Sequence, residues 1–142
     1  MQYAIAIQEP WCSMILFGAI ASHRTQEIID CNVGNRIFKD WENRSWKLPE
    51  RFENQPVLLL ASKKFDHLGK AYIESMGLTC PNPDECVRGA IIGEIIFSSC
   101  QRKKPDSPWA ITSSPYYWKI ASTRSIHPIP YKGKLGFFPV EL

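Results

Sequence analysis

The sequence predicts an α+β fold, a small mixed β-barrel of about five to six strands with two or more short helices. Six segments show the alternating or continuous apolar pattern of strands, and two show helical spacing. The 11 prolines and 8 glycines are spread along the chain, which is typical of many short elements joined by turns. At 142 residues the chain is predicted to be one domain, 1–142, whose core needs no metal or disulfide.

Segments with strand periodicity account for much of the chain. The predicted strands are residues 2–8, 39–46, 56–61, 89–98, 116–121 and 136–140. Isoleucines make 89–98 the most β-like of these, and Gly93 within it predicts a bulge or a sharp bend. Residues 127–130 contain two prolines, so we expect an extended linker there, outside any strand.

Two segments have the spacing of helices. Pro10 suits a first helical turn because its missing N–H would have no partner there, and an apolar stripe runs from Trp11 to a stop at Gly18. Residues 65–76 form the second predicted helix, in which Gly69 costs up to about 1 kcal/mol of helix stability.

Residues 19–38 show no clear periodicity. A stretch of this length without an element is unusual inside a domain, so it is either a functional insertion or contains structure that the pattern does not reveal. The turn-forming residues 32–34 allow a hairpin within it.

Charge and cysteine content bound the class of protein. Seventeen Lys and Arg against 14 Asp and Glu give a net charge of +3, which permits a polyanionic partner without requiring one. The five cysteines form no C-x-x-C pair, which favours reduced thiols in a cytoplasmic protein. The N-terminal segment lacks the cationic start of a signal peptide, and no apolar run approaches the ~18 residues of a membrane span. We therefore expect a cytoplasmic protein that does not bind membranes.

The segment KDWENRSW, residues 39–46, is the most unusual in the sequence. A strand this charged lies at a sheet edge or lines a solvated groove. Alternation places Glu42 and Arg44 on one face, where each can orient the other. Lys39 joins them only if the strand bends or begins at Asp40. A solvated edge strand with an ion pair is the alternative interpretation.

Several ordered motifs resemble those of the ASCH domain family. Residues 5–18, IAIQEPWCSMILFG, match its Q-x-P-W/Y-x-x-x-I-x-x-G opening, and Lys39, Glu42 and Arg44 match its K-x-x-E-x-R element. The match continues in three later segments, so the resemblance covers nearly the whole chain. These segments are residues 61–64, 89–93 and 128–136. The chain departs from the family in the insertion at 19–38, which the family's spacing places at the edge of the site.

This resemblance implies a PUA-like β-barrel that holds RNA or a nucleotide-like ligand in a cleft beside the first helix. Some small members of the family are amidohydrolases that deacetylate acetylcytidine, in which a threonine nucleophile follows a lysine by three residues. Lys39 matches that lysine, but Glu42 stands at the threonine position. A carboxylate does not replace a hydroxyl in forming an acyl intermediate, so the covalent mechanism does not carry over. General acid–base catalysis by Lys39 and Glu42 is an alternative.

The binding interpretation needs flat apolar partners for a base and cations for phosphate. Tryptophans supply stacking surfaces, basic side chains bind phosphate, and Glu42 accepts from an exocyclic amine. The predicted ligand-binding residues are Trp11, Arg44, Trp46, Ser62 and Lys63, and Lys39 adds a further phosphate contact. Core packing of either tryptophan and a solvated turn at Lys63 are the alternatives.

Three functions follow as hypotheses. We favour a module that binds RNA or a modified nucleobase, followed by a hydrolase of a modified nucleoside or RNA that uses Lys39 and Glu42. The third is a protein-interaction adaptor that docks a partner through residues 19–38. The three histidines have no spacing suited to a shared metal, and no G-x-G-x-x-G or P-loop occurs, so we predict no metal and no cofactor.

Overall fold

A six-stranded mixed sheet organises the protein in the computed structural model, which describes residues 1–21 and 36–142. Its strands are β1 (Gln2–Glu9), β2 (Trp41–Arg44), β3 (Pro56–Phe65), β4 (Ala90–Gln101), β5 (Tyr116–Pro130) and β6 (Phe137–Val140). The α-helices of the described ranges are α1 (Trp11–Leu16) and α2 (His67–Ser75), and short 3-10 helices span Glu50–Phe52 and Pro83–Glu85. The α+β class, the six strands and the two helices predicted from the sequence are confirmed.

The strand order in the sheet is β2-β5-β4-β3-β1-β6. β1 and β3 run parallel, and every other neighbouring pair is antiparallel. Side chains of the central strands enter the core on both faces. Ile5 and Leu59 belong to one core cluster, whereas Ala4 and Leu60 belong to another. Burial on both faces explains why β3 reads as a continuous apolar run.

Hydrogen bonds do not close this sheet into the predicted barrel. Among the described residues, strand pairing ends at β2 on one side and at β6 on the other. Aromatic side chains fill the space between these two edges. Trp46, which follows β2, packs edge-on against Phe137 of β6 at 5.9 Å between ring centroids, and Trp118 of β5 stacks on the same ring at 5.7 Å.

The prediction of a linker at residues 127–130 is wrong, because β5 continues as a strand through Pro130, which lies opposite Ala90 of β4. β2 covers the other side of β5 only as far as Lys119. The distal half of β5 therefore has a free edge, on which a proline without an N–H forfeits no ladder hydrogen bond.

The bulge expected at Gly93 is present. The pairing of β4 with β5 shifts register between Ile91 and Gly93. A Cβ at Gly93 would lie 2.8 Å from the carbonyl oxygen of Arg124, so the close approach of the two strands requires glycine here.

The insertion predicted at 19–38 is described only at its two ends. Ala19 and Ile37 pair with each other through two backbone hydrogen bonds of 2.9 and 2.8 Å. The hairpin predicted around 32–34 lies outside the described residues. In the ranges that are described, no helix has the length and apolar character needed to cross a membrane.

Candidate functional site

One cleft brings together six of the seven predicted site residues. It has a volume of about 770 Å³, and we call it the candidate cleft. The predicted residues in its lining are Trp11, Glu42, Arg44, Trp46, Ser62 and Lys63. The seventh, Lys39, lies outside the lining.

Glu42 is held between two cations. Its Oε1 lies 3.4 Å from Nζ of Lys39, and its Oε2 accepts a hydrogen bond of 2.9 Å from Nε of Arg44. Alternation along β2 places Glu42 and Arg44 on the same face, as predicted. Lys39 reaches the carboxylate because β2 begins only at Trp41 and leaves Lys39 in the preceding segment. The charge of Glu42 is therefore balanced within the protein.

Lys39 is a buried cation behind this part of the cleft. It is 3% exposed, its Nζ donates a hydrogen bond to the Trp41 carbonyl, and the same atom lies 5.4 Å from the centroid of the Trp11 ring. Burial lowers the pKa of Lys39, and the attraction of Glu42 opposes that shift. Direct contact of Lys39 with a phosphate, and its acid–base role with Glu42, stay predictions.

Arg44 connects edge strand β2 to β1 on the far side of the sheet. Besides its ion pair with Glu42, its Nη2 donates a hydrogen bond of 3.3 Å to the carbonyl of Ala6 in β1. The pairing of β1 with β6 ends at Ile5, so the guanidinium binds β1 just beyond that point. The guanidinium also lies 5.6 Å from the centroid of Trp118. Arg44 therefore has a structural role in addition to lining the cleft.

Trp11 contributes to both the core and the cleft. Its indole N–H donates a hydrogen bond of 2.9 Å to Oδ2 of Asp66, whose Oδ1 accepts from the backbone N–H of Gly69 at 2.9 Å. Asp66 thus caps α2 and fixes the indole with one carboxylate. The ring also packs edge-on against the buried Trp109 at 6.5 Å between centroids.

Trp46 likewise has one side in the core. Its ring meets that of Trp118 edge-on at 4.8 Å between centroids, and its carbonyl accepts a hydrogen bond of 3.1 Å from the Trp118 indole. The ring remains partly exposed and lines the cleft. The two interpretations of Trp46, core and groove, therefore describe two parts of the same side chain.

The predicted residues Ser62 and Lys63 lie at an irregularity in strand β3. Ile7 of β1 lies opposite Ala61, but Glu9 lies opposite Phe65, so the register shifts across Ser62 and Lys63. A bulge of this kind changes the direction of side chains. The sequence offers no sign of this shift, because the run from Ala61 to Phe65 has no glycine or proline.

The segment that follows β5 supplies lining residues that the sequence analysis did not assign to the site. Tyr131, Lys132 and Lys134 line the cleft, and Gly133 lies between the two lysines. A Cβ at Gly133 would meet a side-chain carbon of Leu60 at 3.0 Å, so the turn lies closely on the sheet. These residues fall within the last segment that resembles the ASCH family. Their place in that segment is the one sequence feature that could have assigned them to the site, because their composition is that of an ordinary turn.

The cleft also includes Gln8, Asn43 and Asp66, which were likewise missed. Asn43 is occupied structurally, since its side chain donates to the Trp109 carbonyl at 2.8 Å and accepts from the Ile111 N–H at 2.9 Å. The Gln8 side chain forms no hydrogen bond with any described residue. It is therefore a polar group of the cleft that is available to a ligand.

Comparison with known proteins adds no assignment. No protein-family model matches the chain, and no curated protein matches it significantly. The chemistry of the cleft is therefore argued from its own residues.

Proposed function

We propose that the protein binds RNA or a nucleotide-like ligand in the candidate cleft. The single observation that carries the proposal is the charge distribution of the lining, in which both carboxylates are paired or hydrogen-bonded and three lysine side chains have no partner among the described residues. The proposal includes a PUA-like fold, membership of the ASCH family and a cytoplasmic location. The packing of Trp46 on Phe137 supports the fold part of the proposal, because it brings the two edges of the sheet together.

The carboxylates of the cleft are engaged internally. Glu42 is paired with Lys39 and Arg44, and Asp66 accepts from the Trp11 indole and from the start of α2. Glu42 is thus neutralised, whereas Asp66 keeps its charge because both of its donors are neutral. The four cations of the lining still outnumber these two carboxylates, so the cleft carries a net positive charge.

Three exposed lysines then provide the uncompensated charge: Lys63, Lys132 and Lys134. In the part of the chain that the structure describes, none of their side chains forms an ion pair or a hydrogen bond. Flexible ammonium groups around a cleft bind phosphate as point charges. An anionic ligand such as a nucleotide or an RNA strand therefore fits the site better than a neutral or cationic one.

The rest of the lining suits a base. Trp11 and Trp46 offer the edges and faces of fixed indoles, and stacking on an aromatic ring contributes about 1–3 kcal/mol per base in single-strand binders. The side chains of Gln8 and Ser62 have no hydrogen-bond partner among the described residues. They supply donors and acceptors for a base edge.

The test is the salt dependence of RNA binding. Fluorescence anisotropy with a short labelled single-stranded RNA compares the parent protein with the Lys132→Ala/Lys134→Ala double variant. Two lost phosphate contacts weaken binding and lower the slope of log K against log salt by about 1.4, since each contact contributes about 0.7.

The matched control is Lys103→Ala/Lys104→Ala, which removes the same charge from exposed positions outside the cleft. We expect its affinity and slope to stay close to those of the parent. Equal affinity and slope in the parent and in Lys132→Ala/Lys134→Ala would rule out the proposed phosphate contacts.

A further inference from the structure

A second cavity of about 600 Å³ lies beside α1 and shares no described lining residue with the candidate cleft. Gly18 and Arg36, close to the two ends of the insertion, line it. The resemblance to the ASCH family placed the insertion at the edge of the candidate cleft. Neither residue lines that cleft: Arg36 of the insertion and Gly18, which directly precedes it, line the second cavity instead.

Glu9 is the buried charge of the second cavity. It is 2% exposed, its Oε1 accepts a hydrogen bond of 2.7 Å from the Ser13 N–H, and its Oε2 accepts one of 3.0 Å from the Ser13 hydroxyl. These contacts hold the carboxylate against the first turn of α1, yet each oxygen retains a second acceptor site. The carboxylate therefore keeps the capacity to bind a ligand.

No described cation neutralises Glu9. The other buried carboxylate, Glu42, has two cationic partners, whereas Glu9 forms no ion pair with any described residue. Arg88 attracts Glu9 electrostatically, but its guanidinium donates its 2.6 Å hydrogen bond to the carbonyl of Lys63. A buried carboxylate without a cation is costly, and a bound cation would remove that cost.

The two thiols that line the cavity with Glu9 are neutral. Burial raises the pKa of Cys86 and raises that of Cys80 to about 11, so both thiols stay protonated near neutral pH. Apolar side chains form much of the remaining wall. They are Met14, Phe17, Val87, Ile92 and Ile126. At the opening, Arg36 and Glu85 carry opposite charges, so Glu9 dominates the interior field.

We propose that the second cavity binds a small organic cation that carries an amidinium, guanidinium or protonated amine on an apolar body. The cationic N–H groups donate to the free acceptor sites of Glu9, and the apolar body packs on the wall beside Met14 and Ile92. A cavity of about 600 Å³ is within the range of small-molecule sites. A planar amidinium also matches the geometry of a carboxylate.

The probes are benzamidine and benzamide, which have nearly the same shape but differ in charge. Each is titrated into the full chain at about pH 8, well above the ordinary pKa of a glutamate, and followed by backbone amide NMR. We expect benzamidine to shift the signals of Ser13 and Cys86. Benzamide should bind at least about tenfold more weakly, because it lacks the charge-assisted hydrogen bonds to Glu9.

Two variants, each with a control variant, locate the site. Glu9→Gln keeps the size of the side chain and should weaken benzamidine at least about tenfold, while Glu50→Gln, an exposed position outside the lining, should bind it like the parent. Ser125→Trp fills the cavity from β5 without changing Glu9, and it should abolish binding. Ser122→Trp, on the same strand but outside the lining, is its control.

The proposal is overturned by any of three results. These are equal binding of benzamidine and benzamide, unchanged binding in Ser125→Trp, and absence of benzamidine binding to the folded parent. If Glu9→Gln fails to fold, the pair of serine variants decides the question alone. RNA binding in the candidate cleft is not affected by any of these outcomes.

Discussion

Gly69 of α2 lies directly against the indole of Trp11: a Cβ at this position would be 2.7 Å from Cζ2 of the ring. The helix pattern alone marks this glycine as a weak point, because glycine lowers helix stability. The contact shows that the absence of a side chain at Gly69 lets α2 approach Trp11, which lines the candidate cleft. The same approach brings the capping Asp66 to the indole N–H.

Gly69→Ala should therefore destabilise the protein despite the better helix propensity of alanine. Over-packing costs about 1–3 kcal/mol, which exceeds the propensity gain of up to about 1 kcal/mol. Urea unfolding measures the net loss, and intrinsic fluorescence should report the displaced indole. At the exposed neighbour Ala71, the reverse change Ala71→Gly measures the propensity contribution of this helix without touching Trp11. A more stable Gly69→Ala protein would contradict the close contact.

The buried pair of Lys39 and Glu42 should be strongly coupled. Glu42→Gln leaves Lys39 buried without its closest counter-charge, and we expect a loss of about 3 kcal/mol in the free energy of unfolding. Lys39→Met/Glu42→Gln removes both charges and should lose much less than the sum of the two single variants. On α2, Glu74→Gln breaks an exposed pair with Lys70 and should change stability by less than about 1 kcal/mol. Additive losses at Lys39 and Glu42 would show that the pair is not coupled.

Glu9 should give the protein a recognisable pH dependence. Burial raises its pKa above the ordinary value of 4.5, so the folded state holds a proton that the unfolded state has released. The resulting stabilisation is complete below pH 4.5 and is lost as the pH rises through the folded-state pKa.

The measurement is the difference in unfolding free energy between the parent and Glu9→Gln over this range. Because other carboxylates titrate in both proteins, the difference isolates Glu9, and it should fall with rising pH. A difference that stays constant with pH would contradict the raised pKa.

The hydrolase hypothesis has a direct test with acetylcytidine. We expect no release of acetate, because Glu42 stands where the amidohydrolases that the sequence resembles have a threonine nucleophile, and its carboxylate is paired with Lys39 and Arg44. Chromatography of the nucleoside after incubation measures the outcome. Deacetylation that disappears in Glu42→Gln would replace the binding proposal with catalysis.

The sequence predicted those parts of the fold whose local pattern agrees with their final surroundings. β3 and β4 appear as apolar runs because both of their faces are buried, and Gly93 indicates a bulge because two backbones meet there. Residues 127–130 were misjudged because a proline excludes a strand only where its N–H would face a partner. That side of β5 has no neighbouring strand in the described structure.

By itself, the sequence determined the fold class, the order of the elements and the placement of Glu42 and Arg44 on one face, since these depend on the periodicity of neighbouring residues. Only the tertiary structure decided that Lys39 lies buried behind the cleft, that Lys132 and Lys134 join Lys63 in its lining, and that Glu9 is buried without a cation. The physical reason is that burial and charge pairing depend on residues far apart in the chain. No local pattern reports which distant side chain will arrive beside a given charge.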